Sequence, residues 1–278
     1  MKKEELKELQ RIATKIRMGI IEGVYNAKSG HPGGSLSAAD IMAYLYFKKM
    51  NVNPENPKDE ARDRFVLSKG HAAPVLYSTL ANRGFFDVEL LKTLRKVGSI
   101  LQGHPDMKKI PGVDMSSGSL GQGISAATGM ALSAKHFGND FKVYALLGDG
   151  EIQEGQVWEA AMFAAHKKLN NLTVIVDNNN LQIDGTVEQV NSPYPIVEKF
   201  QAFGFETVEI DGNDFIQIEE ALSKVGTFDK PYAIIAKTVK GKGVSFMENQ
   251  VGWHGSAPNE EQYNAAMAEL ADTLAGLN

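Results

Sequence analysis

Val143-Tyr-Ala-Leu-Leu-Gly-Asp-Gly150 and, further along, Leu172-Thr-Val-Ile-Val-Asp-Asn-Asn-Asn180 share one arrangement: an unbroken apolar run gives way abruptly to small, oxygen-rich residues. A strand covered on one face alternates apolar with polar, whereas an unbroken apolar run bounded by turn residues reads as a strand covered on both. Residues 208–210 and Tyr232–Lys237 repeat the pattern, and 65–67 is a briefer example. Helical periodicity fills the gaps near 157–168, 195–203 and 215–225. Buried strands separated by helices predict an α/β fold, a mostly parallel sheet with helices on both faces. In such sheets ligands lie beyond the carboxyl ends of the strands. The chemistry is therefore expected just after Leu147, Val176 and Lys237.

Upstream, Leu9, Ile12, Ala13, Ile16, Ile20 and Val24 form one stripe, predicting an amphipathic helix from Lys3 to Ala27. The run Ser29-Gly-His-Pro-Gly-Gly34 stops it, because Gly and Pro continue a helix only at a cost. A second helix is expected over 37–49, with Ser37 and Asp40 as a capping box. The polar stretch 51–62, with Pro54 and Pro57, reads as a surface connection, and helices follow at Ala73–Arg83 and 87–96. Residues 98–123 are rich in loops, with glycines at 98, 103, 112, 118, 121 and 123, before a helix that runs to Phe137. Near the end, Tyr263, Ala266, Met267, Leu270 and Leu274 mark a helix over 259–274 whose stripe serves packing.

Composition narrows the class. The 278 residues, 43% hydrophobic and 23% charged, suffice for one large or two modest domains. A net charge of −5 argues against nucleic acid or an anionic membrane as the main partner. No apolar run approaches the roughly 18 residues of a membrane span. The N-terminus carries acidic residues and no apolar h-region, so no secretory signal is expected, and the cytoplasm fits best. With no cysteine, disulfides, thiolate nucleophiles and Cys-ligated zinc are excluded.

Gly148-Asp149-Gly150 and Asn178-Asn179 each follow a buried strand, and neighbouring strands would bring the two loops together. Either cluster alone serves equally well as turn chemistry. Together they suit Mg²⁺, which takes oxygen ligands from one or two carboxylates plus phosphate. Asp149 and the amide oxygen of Asn179 would leave positions open for a diphosphate, which flanking glycines let approach the backbone.

Four of the six histidines sit in Gly- or Pro-flanked turns: Gly30-His31-Pro32, Gly70-His71, Gly103-His104-Pro105 and His254-Gly255. Turns at sheet ends are where reacting groups are displayed, and His is the usual proton carrier near neutrality. His136 and His166 fall in helical patterns and read as ordinary surface residues. No pair has the close spacing of a helical zinc motif. Lys237, Lys240 and Lys242 form a basic loop after the last strand that either reaches phosphate or is simply solvated.

At this point the sequence resembles transketolase. The motifs are SGHPGG (29–34), RFVLSKGHA (64–72), QGHPD (102–106), PGV (111–113), SGSLGQG (117–123), GDGEIQEG (148–155), VDNNNLQIDG (176–185) and WHGSAP (253–258). Their order matches the N-terminal, thiamine-diphosphate-binding section of that enzyme, here spanning residues 1–278. The resemblance implies Mg²⁺ ligation by Asp149, Asn179 and the backbone carbonyl of Leu181. It further implies that Gly148, Gly150, Gly118, Ser119, Leu120, Ile183, His71 and His254 contact the cofactor. His31, His71, His104 and His254 would face the sugar, and Glu154 would join a carboxylate network at the boundary between subunits. Ser119 stands where many members have proline, and Gly34-Ser35 departs from the usual Ala-Pro.

The activity so implied is transfer of a two-carbon ketol unit from a ketose phosphate to an aldose phosphate, in the pentose phosphate pathway of carbohydrate metabolism. The glutamate that activates the cofactor lies, in this family, in a pyrimidine-binding domain. That domain and the C-terminal domain are expected on a partner chain, giving an α2β2 heterotetramer. Two other readings stay open: a component of another thiamine-diphosphate enzyme (a deoxyxylulose-phosphate-type synthase or the α subunit of a 2-oxo acid dehydrogenase), and a non-catalytic metabolite-binding relative.

Overall fold

The computed structural model describes residues 1–277. Each apolar run becomes a strand: β1 (Arg64–Leu67), β2 (Val143–Gly148), β3 (Leu172–Asn178), β6 (Glu206–Asp211) and β7 (Tyr232–Lys237), with a small hairpin of β4 (Leu181–Gln182) and β5 (Gly185–Thr186) between β3 and β6. The five main strands form one parallel sheet in the order β1-β2-β3-β7-β6. The helices are α1 (Lys3–Ala27), α2 (Gly33–Leu36), α3 (Ala39–Tyr44), α4 (Ala73–Arg83), α5 (Gln122–Phe137), α6 (Gly155–His166), α7 (Val187–Asn191), α8 (Ile196–Ala202), α9 (Phe215–Ser223) and α10 (Glu260–Gly276).

Alternate residues of the apolar strands feed two cores, which is why the runs are unbroken. Tyr144, Leu146 and Ile175 pack in the core that holds α1, α3, α4, α9 and α10. Ala145, Leu147, Val174 and Val176 pack in the other, with α5, α6 and α8. On α1, Leu9, Ala13, Ile16, Ile20 and Val24 are buried as the stripe predicts, and Ile12 is partly covered. Each such large aliphatic side chain contributes about 2 kcal/mol by leaving water. α10 lies against α1, where Tyr263 stacks on Tyr25 at 4.1 Å and donates to Glu22 at 2.6 Å.

Two local expectations are corrected. The single helix over 37–49 is instead α3 followed by a π turn at Leu45–Lys49, with the short α2 just before it, while residues 87–96 hold only a 3₁₀ turn, Val88–Thr93. The capping box does not form. Ser37 Oγ donates to Asp177 Oδ2 at 2.6 Å, and Asp40 takes the Arg17 guanidinium in two bonds of 3.0 and 2.6 Å. Both side chains are consumed by distant partners, so neither is free to cap a local N–H.

Candidate functional site

β2 and β3 are paired in register, Gly148 opposite Asp177, so their following loops emerge side by side. The Asp149 carboxylate bridges them: it accepts from Asn180 N at 2.5 Å and Asn178 Nδ2 at 3.1 Å, and from Gly150 N at 2.8 Å within its own turn. A cavity of about 400 Å³ opens here, in the range of small-molecule sites. Its walls include His31, His71, Gly118, Leu120, Gly148, Asp149, Gly150, Glu154, Asn179, Leu181, Ile183 and His254. Two candidates stand outside the walls. Ser119 is exposed on the loop before α5, and His104 is an exposed neighbour of Gly118, whose Cβ position lies 3.1 Å from the imidazole.

Several cavity residues carry no local signal in the sequence. Lys69 is 2% exposed; it donates to Gly34 O at 2.6 Å and is ion-paired with the fully buried Asp177. Asp177 also accepts from Ser37, Thr238 and Asn179 Nδ2, the last at 3.2 Å. Burial works to raise its pKa, but the Lys69 charge and hydrogen bonds from Lys69, Ser37 and Thr238 hold it below the usual range. Of the three loop lysines, only Lys240 reaches the cavity. It is 1% exposed and donates to Leu181 O at 2.9 Å, with His254 Nδ1 also at 2.9 Å. Burial lowers its pKa to about 8. Lys237 and Lys242 pair instead with Glu209 and Glu248, at 2.6 and 3.5 Å.

Three imidazoles make one cluster, with ring centres 5.2 Å (His31–His71), 5.3 Å (His71–His254) and 5.6 Å (His31–His254) apart. Burial first, then neighbouring cations, lowers their pKa values to about 4 for His31, 2 for His71 and 3 for His254; His104 is lowered too. All are neutral at pH 7, each offering one N–H donor and one lone pair. Because an ammonium only donates, His254 Nδ1 accepts from Lys240 and its proton sits on Nε2.

The donor set suits a hard divalent cation. Asp149 carboxylate, Asn179 amide oxygen and Leu181 carbonyl are all oxygens, as Mg²⁺ prefers. Burial, then the Asp177 charge, raises the Asp149 pKa to about 6, a cost that a bound cation would reverse. The buried Nδ1 of His31 and Nε2 of Gln182 lack hydrogen-bond partners, and both residues line this cavity. Lys240 supplies positive charge for an anion in the same cavity, whereas the Lys69 charge is already matched by Asp177. A depression of similar volume, 390 Å³, beside Asp211 and Lys237 opens broadly to solvent, and its lysine is already paired.

The model of the family described as transketolase, thiamine diphosphate binding domain, matches residues 8–271. The chain is 44% identical to a 6-deoxy-6-sulfo-D-fructose transketolase subunit of Clostridium sp., over 96% of this chain and 98% of that one. It is also 44% identical to an apulose-4-phosphate transketolase subunit of Phocaeicola vulgatus, over 97% and 95%. Human transketolase is 42% identical over 91% of this chain but only 40% of its own. Among solved structures, transketolase from Campylobacter jejuni superposes with a TM-score of 0.89 at 37% identity, covering 95% of this chain and 42% of that one. The chain thus spans about two fifths of the single-chain transketolases it matches.

Proposed function

This chain belongs to the transketolase family as its thiamine diphosphate binding domain, and on that premise we propose that it is the cofactor-binding subunit of a two-chain transketolase. The observation that carries the reading is the meeting of Asp149, Asn179 and Leu181 O in one cavity with Lys69 and Lys240. In this reading the three oxygens hold Mg²⁺, and the Lys240 ammonium faces the diphosphate. Gly118, Leu120 and Ile183 flank the cofactor's mid-section; Ile183, 65% exposed, would be covered by it.

Thiamine diphosphate, when bound, supplies a carbanion centre that adds to a ketose carbonyl and serves as electron sink. The neutral imidazoles of His31, His71 and His254, with His104 at the rim, orient sugar hydroxyls and exchange protons with them. Burial keeps the three clustered imidazoles uncharged, so each can donate and accept without paying to desolvate a cation. Glu154, exposed on the rim, is available to a carboxylate network across the boundary between subunits.

The partner supplies the pyrimidine-binding and C-terminal domains, in an α2β2 assembly acting in the cytoplasm. Two similar subunits of nearly this length support that division. Among the described residues no helix is long and apolar enough to cross a membrane. The relatives' names point to anionic ketoses as donors, a ketose phosphate being the first to try, with an aldose phosphate as acceptor.

The test is co-expression with the partner, then an assay of two-carbon transfer from ketose phosphate to aldose phosphate alongside pyruvate consumption. Transfer that needs both chains and disappears in Asp149→Ala supports the reading. Pyruvate consumption without transfer would assign a different thiamine-diphosphate reaction, and transfer by this chain alone would refute the division of the site.

A further inference from the structure

Glu151 takes no part in the roles above, yet it is 2% exposed at the cavity floor. Its Oε1 accepts the Ser68 hydroxyl at 2.5 Å and the Gly121 N–H at 2.9 Å, and its Oε2 accepts the Gly148 N–H at 3.0 Å. Each donor belongs to a different chain reversal. Ser68 follows β1 and leads into Lys69 and His71. Gly121 immediately precedes α5 and closes the loop of Gly118 and Leu120. Gly148 ends β2, just before Asp149.

The junction has no slack elsewhere. A Cβ on Gly123 would lie 2.5 Å from Ser68 Oγ, and one on Gly121 would lie 2.8 Å from Glu154 Cβ. Side chains at those positions would push the loops apart, so glycine lets them close and the carboxylate keeps them closed. Two of the partners are backbone N–H donors, one on each carboxyl oxygen, and the third is a hydroxyl, so a carboxyl group meets all three at once.

We propose that Glu151 is a positioning residue whose carboxyl group locks the 68–71, 118–121 and 148–150 segments together and thereby sets the affinity of the cavity for the diphosphate end of the cofactor and its divalent ion. The inference rests on the functional reading above.

Glu151→Gln tests it in the assembled two-chain complex. The change keeps the shape but turns one oxygen into an NH₂ facing a donor N–H. Loss of one bond, with the two donors left facing each other, is expected to raise the calorimetric Kd for thiamine diphosphate in Mg²⁺ about tenfold. At saturating cofactor, kcat should fall by less than about twofold. Amide hydrogen exchange should show that cofactor protects the 118–123 segment in the wild type and less so in the variant. Ser68→Ala removes one of the three donors, should raise Kd about threefold, and serves if Glu151→Gln does not assemble. A Kd that neither variant changes overturns the inference, as does a tenfold fall in kcat at unaltered Kd. A wild-type complex that binds no thiamine diphosphate overturns the functional reading and this inference with it. Normal wild-type binding with indifferent variants overturns the inference alone.

Discussion

The Asn180 backbone N–H donates to the Asp149 carboxylate at 2.5 Å, so the loop after β3 is fastened directly to the loop after β2. The strand pairing alone would bring these loops close; this bond fixes how close. It also puts a buried carboxylate in the cavity that Asn179 and Leu181 line.

Asp149→Asn preserves the shape but removes the charge a divalent ion requires. At a hundredfold excess over Kd, a ligand that binds only the folded chain adds about 2.7 kcal/mol, a rise in thermal midpoint of roughly 5–10 °C at this size. With Mg²⁺ and thiamine diphosphate the wild-type complex should show such a rise and Asp149→Asn should show almost none. Equal rises would remove Asp149 from the metal site.

The same carboxylate titrates near 6 because burial, and then Asp177, disfavour its charge. A metal must displace that proton once the pH drops below 6. Mg²⁺ affinity, measured by calorimetry with cofactor present, should therefore be flat from about pH 7 upward and fall toward tenfold per unit below about 6. A profile still flat at pH 5 would contradict the assignment.

His71 gives a stability signature of definite sign. Its folded pKa is depressed to about 2 by burial, while an unfolded histidine titrates near 6.5. Below about 6.5 the unfolded chain binds a proton that the folded chain refuses, so stability is present above that pH and is lost as the pH falls. Between pH 6.5 and 5 the loss from this residue should be about 1–2 kcal/mol. Denaturant titration of His71→Gln should lack that share of the pH dependence; an unaltered slope would show that His71 is more hydrated than its surroundings imply.

Lys69 and Asp177 are a buried pair, 2% and 0% exposed. Lys69→Met would leave the Asp177 charge without its cation, a change expected to cost about 3–5 kcal/mol. Adding Asp177→Asn removes the stranded charge and should recover part of the loss. Equilibrium unfolding of the single and double variants checks this; additive losses would mean that the pair is not coupled.

Where a residue's environment is set by near neighbours, the pattern was readable. The β2 and β3 runs, the α1 stripe and the cavity at the strand ends follow from local periodicity, because burial on two faces or on one stripe demands apolar residues at fixed intervals. The three lysines at the end of β7 and just beyond it show where that ends. Lys237, Lys240 and Lys242 look alike within one short basic segment, yet only Lys240 is drawn under His254 and Leu181. Ser37 and Asp40 had the spacing of a cap but were taken by long-range partners.

By itself, then, the sequence determined the α/β class, the strands and the oxygen-rich turns that end them. Tertiary structure alone decided that β7 inserts between β3 and β6, that Lys69 meets an aspartate 108 positions away, and that Glu151 gathers three loops. The reason is physical: side-chain periodicity is a property of neighbours along the chain. The partner of a buried charge is fixed only when distant segments pack and every donor and acceptor left inside must find a match.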